Sequence, residues 1–86
     1  DMALDGLQLR ILFHQGQVCC AGSRVFVQEE IYDKFVEDAV KKFNSIKIGM
    51  PWEQDTQMGS QIYEKHLNKI LSYIDIAKQE GATITL

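Results

Sequence analysis

A chain of 86 residues, 45% hydrophobic and 24% charged with a single proline, makes at most one small globular domain. Its net charge of −3, with both signs interspersed, gives no basic stripe for nucleic acid, and its apolar content excludes a disordered polar tract. No apolar run approaches the roughly 20 residues that span a bilayer, which argues against a membrane partner, and no secretory leader pattern is present. The two cysteines are sequence neighbours that close no useful loop, so they read as reduced thiols in a reducing compartment, the cytoplasm.

From Leu4 to Phe13 the apolar spacing predicts a helix that becomes apolar nearly all round, and such a helix is normally buried on several sides. Gly16 can stop it, because glycine reaches left-handed backbone angles without steric cost. After Cys19 and Cys20, the stretch Ser23 to Gln28 contains Val25-Phe26-Val27, which suits a parallel strand covered on both faces. Tyr32, Phe35, Val36, Ala39, Val40 and Phe43 then recur at helical spacing. Glu29, Glu30 and Asp33 stand at the start of that helix and Lys41 and Lys42 near its end, each sign complementing the helix dipole.

Gly49-Met50-Pro51-Trp52 marks a turn, and residues 53–60 form a polar loop ending at Ser60, a candidate N-cap. Tyr63, Leu67, Ile70, Leu71, Ile74 and Ala77 define a second long amphipathic helix stopped at Gly81, and a strand starts near Thr83. The order helix, strand, helix, helix, strand predicts an α/β fold, part of a three-layer sandwich around a parallel sheet. Two strands do not make that sheet, and both ends run straight into an element. The chain therefore reads as an internal piece of a larger domain.

Cys19 and Cys20 follow a glycine-containing bend and precede Ala21-Gly22-Ser23, small residues that let the backbone turn tightly. Amide N–H groups brought toward the sulfur there would favour a thiolate and could hold an oxyanion when sulfur adds to a carbonyl. Arg24 is the nearest cation in sequence. The same residues also fit ordinary packing of small thiols beside an apolar strand. A Cys19–Cys20 bridge in a thiol redox protein is a further reading, although adjacent cysteines bridge only with backbone distortion. His14, His66 and the cysteines lack the paired spacing of a zinc site.

The run Phe13-x-Gln15-Gly16-Gln17-x-Cys19-x-Ala21-x-Ser23-Arg24 resembles the active-site signature of the aldehyde dehydrogenases, closest to the betaine-aldehyde-type, broad-substrate members. The resemblance continues through Val27-Gln28-Glu29, Ile48-Gly49-x-Pro51-Trp52, Thr56-x-Met58-Gly59 and Lys78-x-Glu80-Gly81-Ala82, so it covers essentially the whole chain. It implies that residues 1–86 are part of an aldehyde dehydrogenase catalytic domain whose nucleophile is Cys19, not Cys20. It further implies that the thiolate adds to an aldehyde, the small-molecule substrate, as a thiohemiacetal whose oxyanion is held by the cysteine's own N–H and an asparagine. Oxidation by NAD or NADP would give a thioester, which a glutamate-activated water releases as the acid.

By the same resemblance, Lys69 and the residue three before it approach the cofactor, but His66 stands where a glutamine is expected. Two solvated polar residues on a helix flank are the other reading of that pair. Arg10 stands where the family often has a small residue and His14 replaces a usual asparagine, which we read as local packing or as damage to the segment. The asparagine, the glutamate and the Gly-rich dinucleotide loop are not found in this sequence, so the chain alone is expected to be inactive. Full-length relatives are implied to be dimers or tetramers. A truncated, non-catalytic structural or interaction module derived from the same domain is the alternative function.

Overall fold

The computed structural model describes residues 2–86. Its three α-helices fall where the apolar spacing places them: α1 (Met2–Leu12), α2 (Tyr32–Asn44) and α3 (Glu64–Gln79). A 3₁₀ turn, Glu29–Ile31, precedes α2 and takes up Glu29 and Glu30, leaving Asp33 in the first turn and Lys41 and Lys42 in the last. α3 ends as expected at Gly81, whose φ is +93°. There Gly81 N–H donates to Lys78 O at 3.1 Å and Ala82 N–H to Ala77 O at 2.9 Å, the paired bonds that satisfy a helix's last carbonyls when a left-handed residue follows it.

α1 packs against α2, while α3 packs against neither. Lys42 Nζ donates to Asp5 Oδ1 at 2.5 Å, tying the end of α2 to the first turns of α1. The hydrogen bond and positive charge of Lys42 hold the Asp5 carboxyl below its ordinary 3.8. A carboxyl lowered in this way supports the folded arrangement above its ordinary value, and that support is lost as the pH falls through the lowered one. The pairs Lys34–Asp38 and Lys41–Glu37 lie along the exposed face of α2 and add little to stability.

Leu4, 7% exposed, is the only buried apolar side chain among the described residues. The expected burial of α1 on several sides is therefore not met: among the described residues Leu9 and Phe13 line open hollows and stay exposed. The accessible surface is 7340 Å², against about 5,200 Å² for a compact monomer of this mass. The radius of gyration, 14.2 Å, likewise exceeds the roughly 12 Å expected for 86 compacted residues.

The parallel sheet is not formed among the described residues. Residues 23–28 and 83–86 carry no ladder, and the one β-bridge is a parallel pairing of Ile48 with Met58. A strand exists only through its hydrogen-bonded neighbour, and neither segment has one here. Val25 and Val27 do line, together with Thr85 and Leu86, a hollow of about 220 Å³ over the apolar face of α2. Both segments thus reach the helix that a sheet would cover, while Phe26, on the other side of its segment, is 94% exposed.

Ser60 is not an N-cap. α3 starts four residues later, behind an extended Tyr63 that makes no capping side-chain bond. Met58 pairs with Ile48 and the Gln61 side chain donates to Gln15 O at 3.3 Å, so residues 58–61 run as a strapped, irregular segment before the helix begins.

With so little buried, the isolated 86-residue chain is expected to lose its helical circular dichroism gradually on heating and to bind a hydrophobic dye at 25 °C. A sharp, two-state melt without dye binding would contradict this.

Candidate active site

Three consecutive residues with positive φ end α1 and reverse the chain. His14 sits at φ 52°, ψ 41° and Gln15 at φ 58°, ψ 24°, followed by Gly16 at φ 78°. For a residue with a side chain this region costs roughly 1–2 kcal/mol, so His14 and Gln15 must be held there by their surroundings. At position 16 glycine is doubly required, since a Cβ would also stand 3.0 Å from Ile11 O.

The bend is closed by hydrogen bonds. His14 O accepts the Gln17 N–H at 3.1 Å. The orientation of the Gln15 amide follows from its partners: Nε2 donates to His14 O at 3.0 Å, and Oε1 accepts the Gly59 N–H at 2.9 Å. His14 itself is exposed, and its carbonyl rather than its ring organises the bend.

The partner segment is itself braced. Lys47 O accepts Gln57 N–H at 2.8 Å and Met58 N–H at 3.2 Å, Gln57 Oε1 accepts the Lys47 N–H at 2.9 Å, and Gly49 N–H donates to Met58 O at 3.2 Å. Lys47 also pairs with Asp55 at 3.6 Å. This loop delivers Gly59 and Gln61 to the bend.

Beyond the bend, Ala21 N–H donates to Val18 O at 3.1 Å, closing a β-turn with Cys19 and Cys20 at its two central positions. Gly22 N–H then donates to Arg10 O at 2.9 Å and returns the chain to α1. A Cβ on Gly22 would stand 2.8 Å from Arg10 Nε and 3.2 Å from Arg10 Cβ, so the chain leaving the turn passes closely across that side chain. The unusual Arg10 is exposed, with an open route to solvent.

This corrects the expected supply of N–H donors. The Ala21 and Gly22 amides are committed to carbonyls and do not serve the sulfur. The amides of Cys19 and Cys20 have no partner among the described residues, so both N–H groups remain able to donate. Both thiols are free and exposed. Cys20 lines an apolar hollow of about 410 Å³ with Leu9, Arg10, Phe13 and Val18. Arg24 lines a different hollow, between α1 and residues 25–28, so it is not the cation beside the turn.

The structure does not bring the second candidate pair to the cysteines. Lys69 is exposed on α3, where its carbonyl accepts the Ser72 hydroxyl at 2.6 Å. The His66 ring stacks on Tyr63, with centroids 6.1 Å apart. No described hydrogen bond or ring contact joins either to residues 18–22, and by themselves they do not fit a dinucleotide as an enclosed site. Among the described residues no group of three or more His, Cys, Asp or Glu could hold a metal ion. The link that does join the cysteine bend to the approach of α3 is Gln15 with Gly59 and Gln61, where sequence reading took Gln15 and Gly59 only as letters of a pattern.

The arrangement is a strained bend, a turn with two exposed thiols and a braced strap. The chain matches the model of the aldehyde dehydrogenase family over residues 1–86 and belongs to that family. It is 48% identical over 84 residues to human mitochondrial aldehyde dehydrogenase, covering 98% of this chain and 16% of that protein. It is 48% identical over 82 residues to human 4-trimethylaminobutyraldehyde dehydrogenase, covering 95% of this chain and 17% of the relative. Betaine aldehyde dehydrogenase from Staphylococcus aureus, solved in complex with NAD+, superposes with a TM-score of 0.96 at 47% identity over 99% of this chain and 17% of its own. An aldehyde dehydrogenase from Bacillus cereus, also an NAD+ complex, gives a TM-score of 0.93 at 39% identity, over 98% of this chain and 17% of that one. The chain thus spans about a sixth of the length of these relatives.

Gly16→Ala in the polypeptide that carries this chain is expected to destabilise it by about 1–3 kcal/mol, read as a lowered denaturation midpoint. Its clash is with the chain's own backbone at Ile11, so neighbouring parts of the protein cannot relieve it. An unchanged midpoint would mean the bend is not held as described.

Proposed function

We propose that this chain is the cysteine-bearing part of the catalytic domain of an NAD(P)-dependent aldehyde dehydrogenase and that Cys19 is its nucleophile. The observation that carries the reading is the Val18–Ala21 turn: it presents an exposed thiol at Cys19 with that residue's own amide unpartnered among the described residues. Cys19 Sγ, as the thiolate, adds to the carbonyl carbon of a small aldehyde, and the oxygen takes the charge beside the Cys19 N–H. The register of the signature gives the role to Cys19, and Cys20 is a small neighbour on the wall of the apolar hollow.

The remaining parts of the reaction lie in the rest of the polypeptide. The NAD+ complexes of the similar structures support NAD or NADP as its cofactor. Because Lys69 and His66 make no enclosed site, any approach of theirs to that cofactor depends on chain packed against α3. Residues 23–28 and 83–86 join a parallel sheet whose other strands the same polypeptide supplies, completing the three-layer sandwich. The intact enzyme is a dimer or tetramer, and its free thiols suit a reducing compartment such as the cytoplasm. No described helix is long and apolar enough to cross a membrane.

In the intact enzyme Cys19→Ser is expected to lower kcat for aldehyde oxidation at least about a thousandfold, as loss of a covalent nucleophile does. Cys20→Ser is expected to leave kcat within a few-fold. The reverse pattern would transfer the role to Cys20, and two active variants would remove covalent cysteine catalysis. The 86-residue chain alone is expected to produce no NADH from an aldehyde; turnover abolished by Cys19→Ser in that chain would overturn its dependence on the missing parts.

A further inference from the structure

We infer that Gln15 is a positioning residue for the nucleophile, an amide clamp that fixes the Cys19 turn to the Gly59–Gln61 strap. The inference rests on the reading of Cys19 as nucleophile and adds to it a residue that sets where the sulfur stands.

Three observations converge on Gln15. Its backbone lies in the left-handed region at φ 58°, which a residue with a side chain occupies only when the surroundings hold it. Its side-chain amide has one end on each side of the junction, Nε2 on His14 O at 3.0 Å and Oε1 on Gly59 N–H at 2.9 Å, while its carbonyl accepts Gln61 Nε2 at 3.3 Å. Gly59 has no Cβ to spare: one built there would lie 3.2 Å from the terminal amide of Gln15. Since Gly59 is not among the residues with positive φ, closeness to Gln15, not an unusual backbone angle, is the reason for glycine at that position.

The clamp reaches the sulfur through one shared atom. His14 O accepts both the Gln15 amide and the Gln17 N–H, and Gln17 leads through Val18 into the turn that carries Cys19. On its far side that turn is held by Gly22 N–H on Arg10 O. Without the two Gln15 side-chain bonds the near side keeps the Gln17–His14 contact and the Gln61 bond to the Gln15 backbone carbonyl, so the strap holds the left-handed bend at one point instead of two. The direction of the Cys19 N–H, which must meet the developing oxyanion, then becomes free to vary. A reacting group misplaced by an ångström loses rate in the chemical step while substrate binding is little changed.

The test uses the intact enzyme. Gln15→Met keeps the side-chain length and removes both amide bonds; Gln15→Glu keeps an acceptor for the Gly59 N–H; Gly59→Ala leaves Gln15 in place and crowds its amide. Steady-state kinetics and the rate of Cys19 alkylation by iodoacetamide across pH are measured for each, with Cys19→Ser alongside. Gln15→Met is expected to lower kcat about ten- to a hundredfold with KM within about twofold, and to change the Cys19 alkylation profile. Gly59→Ala is expected to move both readouts the same way by a smaller factor, and Gln15→Glu to recover part of kcat. Wild-type kcat in Gln15→Met overturns the clamp, as does a loss of folded protein with an unchanged alkylation profile in the folded remainder. Should Gln15→Met yield no folded enzyme, Gly59→Ala decides by the same readouts. If Cys19→Ser stays active, the nucleophile reading falls; if it is inactive while Gln15→Met and Gly59→Ala run at the wild-type rate, only the clamp falls.

Discussion

The left-handed run His14-Gln15-Gly16 is the constraint on which the rest of the site depends. A right-handed continuation would carry α1 past Leu12 and leave the cysteines on an ordinary helix, with their amides committed to carbonyls one turn back. Three left-handed residues turn the chain back on itself, so that residue 22 meets residue 10 and the thiols stand on a turn between two anchored points. Two of the three pay a steric penalty that glycine would not, and the hydrogen bonds at His14 O, Gln15 O and Gly59 N–H offset it. Strain of this kind, held from several directions, is a common property of functional sites.

What holds the bend is local, whereas what holds the fold is largely not. The described residues carry about 2,000 Å² more surface than a compact monomer of the same mass, and their apolar side chains are left in the open. Among the described residues the ion pair of Lys42 with Asp5 is the one charged link between α1 and α2, and it is too exposed to substitute for a core. A site with a well-defined bend on helices without cover fits a chain that spans a sixth of the length of its relatives. In the enzyme we propose, precision at Cys19 would come in two layers, the hydrogen bonds within this chain and packing by the rest of the polypeptide against α1, α2 and α3.

The helices were legible because their signals are local. Apolar spacing at three and four residues marks α2 and α3, and Gly81 ends α3 with the bonds its left-handed angle allows. The sheet was legible only as an expectation, since Val25-Phe26-Val27 has the composition of a strand but a ladder requires a paired neighbour, and it has none among the described residues. Ser60 illustrates a different failure: its residue type suits an N-cap, yet the strap from Met58 to Gln61 delays the helix to Glu64. At the site, the signature marked Cys19 as the candidate, but the bend's cause was hidden. Nothing in the residue types of His14 and Gln15 announces a positive φ, and the partner of Gln15 lies 44 positions away at Gly59. Long-range hydrogen bonds of that kind leave no periodicity to read.

The central claim, that the sulfur of Cys19 carries the covalent step, is tested most directly by quenching the intact enzyme with acid during aldehyde turnover and mapping the adduct by peptide mass spectrometry. The two cysteines are adjacent, so fragmentation between Cys19 and Cys20 is what assigns the site. The expected result is the substrate's acyl group on Cys19, with Cys20 unmodified. An acyl group on Cys20, or none on either residue while the enzyme is turning over, would contradict it.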